Sequence, residues 1–309
     1  MSIFKWISDL PESYQKLLDA VAEFWLHFAA VASSLIAVLF VNPVVFDDYP
    51  VWKWFNVALL LYGWVMFETN WIATRMVDTT APNCAPPPAE RNGKDKTQLD
   101  NSLPDVKEDD NCLSAPAPLV AGRYCNSCRA YKPKRSHHCP LCHRCIIERD
   151  HHCFFSGVCI GGPNQAHFMV WTFWLVFACI YGFSILVYYV TVHPHWKQKG
   201  LPWWEILLFP SMPIRWLLGE VALIDCLVVS MSHGLGIGCL IASYLFLTQV
   251  WLTLIGRTAF EYQNSCMTVC EYRPRLQRMR RAFGGSKCWW TLFVVPVNPW
   301  RQASRDKLV

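Results

Sequence analysis

The chain has few ionisable residues within its long apolar stretches. Apart from Arg215, Asp225 and His233, which lie near the ends of such stretches, hardly any are found there. Transporters of metal ions or protons hold ionisable groups at mid-membrane, so this scarcity argues against a transporter. The residues before the first apolar stretch lack the short basic region of a cleavable signal peptide. No ankyrin or SH3-like module that would recruit a substrate is apparent either.

Apolar sequence, in contrast, is abundant. Hydrophobic residues make up 53% of the 309 positions, with 16 Trp and 18 Phe. A helix needs about 20 apolar residues to cross a hydrocarbon core of about 30 Å, and four stretches reach that length. They predict an α-helical polytopic membrane protein with four transmembrane helices. The predicted spans are residues 21–40, 54–72, 167–190 and 226–255.

A fifth span is an alternative, because the apolar sequence from 221 to 255 is long for one helix. An odd number of spans, however, would place the tail and the cysteine-rich loop on opposite faces of the membrane.

The distribution of positive charge predicts the orientation. The loop between the second and third spans and the C-terminal tail carry most of the 28 Lys and Arg, whereas the turn after the first span contains Asp47 and Asp48. The positive-inside rule therefore places this loop in the cytosol, together with residues 1–20 and residues 256–309. Residues 193–220 are predicted to form a luminal or interfacial segment.

The predicted cytosolic loop has two parts of different composition. Residues 79–118 are rich in Pro, Asn, Asp, Glu and Lys and predict a disordered linker. Residues 122–168 contain Cys, His, Arg and Gly, with too little apolar sequence to form a core without metal. Cytosolic cysteines stay reduced, so the dense Cys spacing favours metal ligation over disulfide bonds.

Seven cysteines and five histidines lie between Cys125 and Cys159. Two tetrahedral zinc sites, each of three thiolates and one imidazole, would use six cysteines and two histidines. Cys153 would then remain free beside Asp150 and His151. A thiol, a base and a carboxylate are the parts of a nucleophilic transferase, in which His151 would favour the thiolate and Asp150 would orient the imidazole. The alternative is that Cys153 is one more ligand or a buried thiol.

These motifs resemble a known family. Asp150-His151-His152-Cys153, followed by Cys159-Ile160-Gly161-Gly162-Pro163-Asn164 and Phe168, is similar to the cysteine-rich domain of the DHHC family of protein S-acyltransferases (palmitoyltransferases). Thr258-Ala259-Phe260-Glu261 is similar to the Thr-Thr-x-Glu motif of that family. The chain departs from the family pattern at Phe154-Phe155, which replaces Pro-Trp, at Gly157-Val158, which replaces Asn-Asn, and at Ala259.

The resemblance implies a protein S-palmitoyltransferase with a two-zinc cysteine-rich domain between helices 2 and 3. Such an enzyme moves a long-chain acyl group from acyl-CoA (palmitoyl-CoA) through an acyl-Cys153 intermediate to cysteines of cytosolic-facing substrate proteins. It holds two structural zinc ions. The implied ligands are Cys125, Cys128, His138 and Cys145 for one zinc and Cys139, Cys142, His152 and Cys159 for the other. Spacing alone leaves His137 as an alternative to His138.

The resemblance also implies that Lys132 and Arg135 bind the phosphates of CoA, with anionic lipid headgroups as the alternative partner. The acyl tail would lie between the spans. Small residues that could line its cavity, or serve as ordinary helix-packing contacts, are Ala30, Ser33, Ser34, Ala178 and Gly182.

The C-terminal tail and the net charge bear on the location of the protein and on its partners. Arg305 and Lys307 resemble a dibasic retrieval signal, which favours ER or Golgi endomembranes, with the plasma membrane as the alternative. Cys266 and Cys270 are predicted to be acylated themselves. Despite a net charge of +5, the membrane setting argues against nucleic acid as a partner. The alternative function is a catalytically silent, membrane-anchored zinc adaptor.

Overall fold

The computed structural model describes residues 10–82, 124–192 and 211–264, together with the single positions 279, 282, 283 and 293. Most of the predicted linker, the first part of the predicted luminal segment and most of the tail lie outside these residues. Cys266, Cys270 and the predicted retrieval signal lie outside them as well.

Four long helices form most of the described structure. Helix α1 (Glu12–Ile36) continues through a π-helical turn (Ala37–Val41) into the short helix α2 (Asn42–Val45). The other long helices are α3 (Pro50–Met76), α4 (Gln165–Val192) and α6 (Leu223–Ile255). Two short helices, α5 (Ser211–Leu217) and α7 (Ala259–Gln263), flank α6 in the sequence. Helix α4 packs against both α3 and α6 and so lies at the centre of the bundle.

Three of these helical segments are long and apolar enough to cross a membrane, so the chain has the character of a membrane protein. They are Ser13–Val45, Gln165–Thr191 and Leu223–Ile255, with mean hydropathies of 2.2, 2.0 and 1.7. Each contains one of the predicted spans. The remaining prediction, residues 54–72, lies within α3, which is 27 residues long but does not meet the same apolar criterion. Its tryptophans and its charged residues Lys53, Glu68 and Arg75 lower its hydropathy.

The cysteine-rich segment consists of three separate antiparallel hairpins. They pair β1 (Tyr124–Cys125) with β2 (Ala130–Tyr131), β3 (His137–Cys139) with β4 (Arg144–Ile146), and β5 (His151–Cys153) with β6 (Val158–Ile160). The register places His138 opposite Cys145 and His152 opposite Cys159. Each of the last two hairpins thus presents one imidazole and one thiol side by side.

The residues after Cys128 and Cys142 both have a left-handed backbone conformation. Arg129 follows Cys128 with a φ of 50°, and His143 follows Cys142 with a φ of 51°. This left-handed conformation is uncommon outside glycine. Its occurrence at equivalent positions shows that the two motifs form the same turn.

The segment that follows α3, residues 79–81, forms backbone hydrogen bonds with the second hairpin. The amide of Ala81 donates to the Cys145 carbonyl at 2.8 Å, and the amide of Ile147 donates to the Thr79 carbonyl at 2.9 Å. The predicted disordered linker began at Thr79, so this boundary is corrected: residues 79–81 pair with the strand, because backbone pairing does not require the apolar side chains on which the prediction relied.

Buried contacts join the hairpins to the helical bundle. Asn164 is fully buried, and its side-chain amide donates to the carbonyls of Thr74 in α3 and Cys159 in β6, both at 3.0 Å. Its side-chain oxygen accepts from the amide of Gly161 at 2.9 Å. The bundle therefore fixes the backbone just after the last hairpin.

Candidate active site and metal centres

Eight Cys and His side chains form two clusters suited to a metal ion. The ligand atoms within each cluster lie within 4.8 Å of one another. Site one consists of Cys125, Cys128, His138 and Cys145, and site two consists of Cys139, Cys142, His152 and Cys159. Both clusters have the same members as the two ligand sets that the resemblance implied.

The distances within each cluster fit a tetrahedral ion. Nδ1 of His138 lies 3.3 Å from Sγ of Cys128 and 3.7 Å from Sγ of Cys125. Nδ1 of His152 lies 3.3 Å from Sγ of Cys142 and 3.8 Å from Sγ of Cys159. Metal–ligand bonds of about 2.3 Å to sulfur and about 2.0 Å to nitrogen give separations of roughly 3.5–3.8 Å between tetrahedral ligands. A set of three thiolates and one imidazole therefore fits zinc at both sites.

His137 lies outside both clusters. Its ring centroid is 4.2 Å from that of Phe260 in α7, so this histidine packs against the segment that follows the last long helix. The alternative ligand set, with His137 in place of His138, is therefore not the one that the structure forms.

Among the cysteines of the three hairpins, Cys153 is the one that neither cluster uses. It ends strand β5, is 4% exposed and lies close enough to His151 for the imidazole to influence the pKa of its thiol. Nδ1 of His151 lies 2.7 Å from Oδ2 of Asp150. The imidazole therefore has a carboxylate partner and lies near a free thiol.

The electrostatics of these three groups favour an imidazolium–thiolate pair. Burial alone would lower the pKa of His151, but its hydrogen bonds to Asp150 and Cys153 outweigh burial and raise it to about 9. Burial raises the pKa of the Cys153 thiol, but the hydrogen bond and charge of His151 outweigh burial and lower it below its usual value. Burial likewise opposes the charge on Asp150, whose pKa is nevertheless lowered by His151. A proton shared by these groups therefore resides on the imidazole.

Two partners distant in sequence hold the Asp150 carboxylate. The side-chain amide of Gln249 in α6 donates to Oδ2, and the backbone amide of Ala259 donates to Oδ1 at 2.6 Å. The amide of Phe260 also donates to the Asp150 carbonyl at 3.1 Å. Sequence analysis missed Gln249, although a buried glutamine within an otherwise apolar helix is a recognisable signal of function.

The Thr-Ala-Phe-Glu motif forms the turn that presents the Ala259 amide. The hydroxyl of Thr258 accepts from the Glu261 amide at 3.2 Å, and the Glu261 carboxylate accepts from the Thr258 amide at 3.0 Å. This reciprocal capping box starts helix α7. Ala259 lacks the hydroxyl of the family motif, but its contact with Asp150 needs only the backbone.

The predicted phosphate-binding residues have different surroundings. Arg135 makes a bidentate ion pair with the fully buried Glu261, from Nε to Oε1 at 2.7 Å and from Nη2 to Oε2 at 2.9 Å, and Nη2 also donates to the Gly256 carbonyl. Lys132 is half-buried, and its charge acts on Cys125 and His138 of site one. The structure therefore ties Arg135 to the capping turn, a role that sequence analysis did not predict.

An apolar cavity of about 480 Å³ lies between the helices. This volume is within the range of about 300–1,000 Å³ typical of small-molecule sites. All five small residues proposed from the sequence contribute to its lining: Ala30, Ser33, Ser34, Ala178 and Gly182. The wall also contains Phe67, Phe155 and Trp171, which pack in the hydrophobic cluster that includes Cys153. Cys153 does not line the cavity, but it belongs to the same hydrophobic cluster as residues that do.

Comparison with known proteins identifies the class. A family model described as DHHC palmitoyltransferase matches residues 120–266. The chain is 31% identical over 256 residues to palmitoyltransferase ZDHHC22 from Danio rerio. The aligned region covers 82% of this chain and 83% of that protein. The chain belongs to the DHHC palmitoyltransferase family, and the resemblance inferred from its motifs is confirmed.

Other relatives match over shorter segments. "Probable protein S-acyltransferase 16" from Arabidopsis thaliana is 43% identical over 79 residues, 26% of this chain and 28% of that protein. Palmitoyltransferase ERF2 from Eremothecium gossypii is 30% identical over 168 residues, 48% of this chain and 43% of that protein. The chain thus aligns with less than half the length of these two relatives.

Proposed function

We propose that this protein is a protein S-acyltransferase in which Cys153 accepts a long-chain acyl group from acyl-CoA and passes it to a cysteine of a substrate protein. The observation that carries this proposal is the position of Cys153. It lies outside both metal clusters, near the His151–Asp150 pair, and packs in a hydrophobic cluster with residues that line an apolar cavity.

The chemistry consists of two thioester exchanges. The Cys153 thiolate attacks the acyl-CoA carbonyl while His151 holds the proton released from the thiol. The carbon–sulfur bond to CoA then breaks, and the CoA thiolate leaves as acyl-Cys153 forms. In the second step the thiolate of a substrate cysteine attacks acyl-Cys153, the acyl group moves to that sulfur, and the bond to Cys153 breaks to restore its thiolate. Asp150 orients His151 and stabilises its charge throughout.

The apolar cavity is the proposed site of the long acyl chain. Burial of each CH₂ group contributes about 0.8 kcal/mol, so a lipid-like tail gains much of its binding free energy between the helices. Phe155 and Trp171 line the cavity and pack in the cluster that includes Cys153, so a chain bound there would have its thioester end near the nucleophile. Lys132 is the proposed partner for the CoA phosphates, and Arg135 supports that side of the site through Glu261.

The two metal sites are proposed to hold structural zinc ions. Four protein ligands fill a tetrahedral ion, so neither site keeps a position for substrate. His152 is bonded covalently to Cys153 through the backbone, and site two therefore fixes the strand that carries the nucleophile. The hairpins bury few apolar side chains of their own, so binding of metal supplies much of their folding free energy.

The proposed topology has four spans, with α3 as the second, and places the hairpins and both flanking segments in the cytosol. The excess of Lys and Arg in the central loop and tail supports this orientation. Residence in ER or Golgi membranes is proposed from the dibasic sequence near Lys307.

The test is acyl labelling of the purified protein with labelled palmitoyl-CoA, read as a hydroxylamine-sensitive label. Cys153→Ser should lose the label and keep two zinc ions, because Cys153 is not a ligand. Cys239→Ser, which changes a cysteine outside the site and the cavity lining, should keep both. Equal labelling of Cys153→Ser and the parent would refute the proposal, and a parent protein that binds zinc but takes no label would favour the adaptor.

A further inference from the structure

Helix α1 contacts site two from outside the hairpins. Oδ1 and Oδ2 of Asp19 lie 3.3 and 3.4 Å from Nε2 of His152. The imidazole is enclosed, with its side chain 6% exposed, and the Asp19 side chain is 20% exposed. A carboxylate 133 residues away in the sequence therefore faces the ring nitrogen that the cluster does not use.

The tautomer of His152 gives this contact its meaning. Nδ1 is the atom that faces the sulfurs of Cys139, Cys142 and Cys159. A metal bound at Nδ1 requires that nitrogen to be unprotonated, so the ring proton resides on Nε2 and points at Asp19. Such a carboxylate–histidine–metal arrangement fixes the orientation of the ring and makes it a stronger ligand.

Site one provides an internal comparison. Nδ1 of His138 faces Cys125 and Cys128, but within the described part of the chain no carboxylate lies within hydrogen-bonding distance of its other ring nitrogen. The two sites have the same ligand set and the same turns. Among the described residues, a carboxylate from a helix of the bundle contacts the histidine of site two, next to Cys153, but not that of site one.

We infer that Asp19 is a positioning residue that holds His152, and with it site two and the strand of Cys153, against α1. The same helix lines the cavity from Trp25 to Ala37. Asp19 thus connects the metal site to the wall of the proposed acyl chamber. The inference rests on metal bound at site two and does not depend on acyl transfer.

Glu23, one turn further along α1, provides a matched control. Its carboxylate pairs with Arg75 of α3 and packs so closely against Gly157 that a Cβ there would collide with it. Glu23 therefore docks against the same hairpin as Asp19 without touching a metal ligand. Loss of general docking and loss of the His152 contact can be separated by comparing the two residues.

The experiment measures zinc release from the full-length protein in detergent with a chromogenic chelator. Alkylation of the freed cysteines, followed by mass spectrometry, assigns each release step to a site. Removal of a carboxylate that supports a metal-bound histidine weakens metal binding about 10–100-fold. In Asp19→Ala we therefore expect release from site two at least ~10-fold faster than in the parent, with early alkylation of Cys139 and Cys142 and unchanged release from site one.

Two further variants complete the test. Asp19→Asn keeps an oxygen that can accept the hydrogen bond but lacks the charge, so it should accelerate release from site two less than Asp19→Ala does. Glu23→Gln should release both ions at the parent rate. The inference is overturned if Asp19→Ala retains site two as the parent does, if both sites loosen equally, if Glu23→Gln has the same effect, or if the parent holds no metal at site two. A protein that shows the expected release but takes no acyl label would refute the proposed function alone.

Discussion

The ion pair between Arg135 and Glu261 allows the sharpest prediction, because sequence and structure assign Arg135 different roles. Arg135→Met keeps the length of the side chain but leaves the Glu261 carboxylate, which is 0% exposed, without its two charge-assisted hydrogen bonds. Only the Thr258 amide would still donate to it. Removal of one partner from a buried ion pair typically costs about 3–5 kcal/mol.

The reciprocal change should cost less. Glu261→Gln leaves a guanidinium whose side chain is 22% exposed and lies 3.7 Å from Glu148, so solvent and a second carboxylate compensate it in part. We expect a loss of about 1–3 kcal/mol, the range for an unpaired buried hydrogen-bonding group. The double variant should lose less than the sum of the two single changes, because the groups interact directly.

The assay combines thermal unfolding in detergent with the kinetics of autoacylation by palmitoyl-CoA. At about 1.5 °C per kcal/mol for a chain of 309 residues, Arg135→Met should lower the apparent Tm by about 5–8 °C. Its kcat should fall as well, because α7 presents the Ala259 amide to Asp150. Lys132→Met is the matched control and should raise the KM for acyl-CoA with Tm unchanged. If Arg135→Met keeps the parental Tm and raises only KM, Arg135 is a phosphate ligand and the reasoning fails.

Two further predictions concern the site and the cavity. Gln249→Leu removes a hydrogen bond to the charged Asp150, which is worth about 1.5–3 kcal/mol. The autoacylation rate at saturating acyl-CoA should therefore fall about 10–100-fold, with both zinc ions retained. A parental rate would show that the Ala259 amide alone holds Asp150. Ala30→Leu places a larger side chain in the cavity wall and should shift the preference in a myristoyl-CoA against stearoyl-CoA competition towards the shorter chain. The control Ala20→Leu lies on the same helix but outside the lining, and an equal shift in it would contradict the proposed place of the acyl chain.

The metal clusters consist of residues close together in the sequence. The Cys-x-x-Cys turns and the hairpin register bring the ligands together over short stretches, so the family resemblance could imply both sets. The same holds for Asp150, His151 and Cys153, which share one strand and its entry. Spacing could not distinguish His137 from His138, because both belong to one strand and only the packing of Phe260 against His137 separates them.

Contacts between residues far apart in the chain could not be predicted from the sequence. Gln249 lies 99 residues from Asp150, and Asp19 lies 133 residues from His152. Both pairs depend on how helices α6 and α1 pack beside the hairpins, which no local pattern records. Arg135 was assigned to phosphate for the same reason: its partner Glu261 is 126 residues away.

The hold on Asp150 has a consequence for biosynthesis. Its carboxylate is fixed by a side chain at position 249 and a backbone amide at position 259, both made long after the nucleophile. While the ribosome is still adding those residues, the thiol is already present, but the carboxylate that orients its imidazole lacks both of these partners. We therefore expect the nascent protein to remain inert until its last long helix has inserted, so that reactivity begins only with a finished bundle.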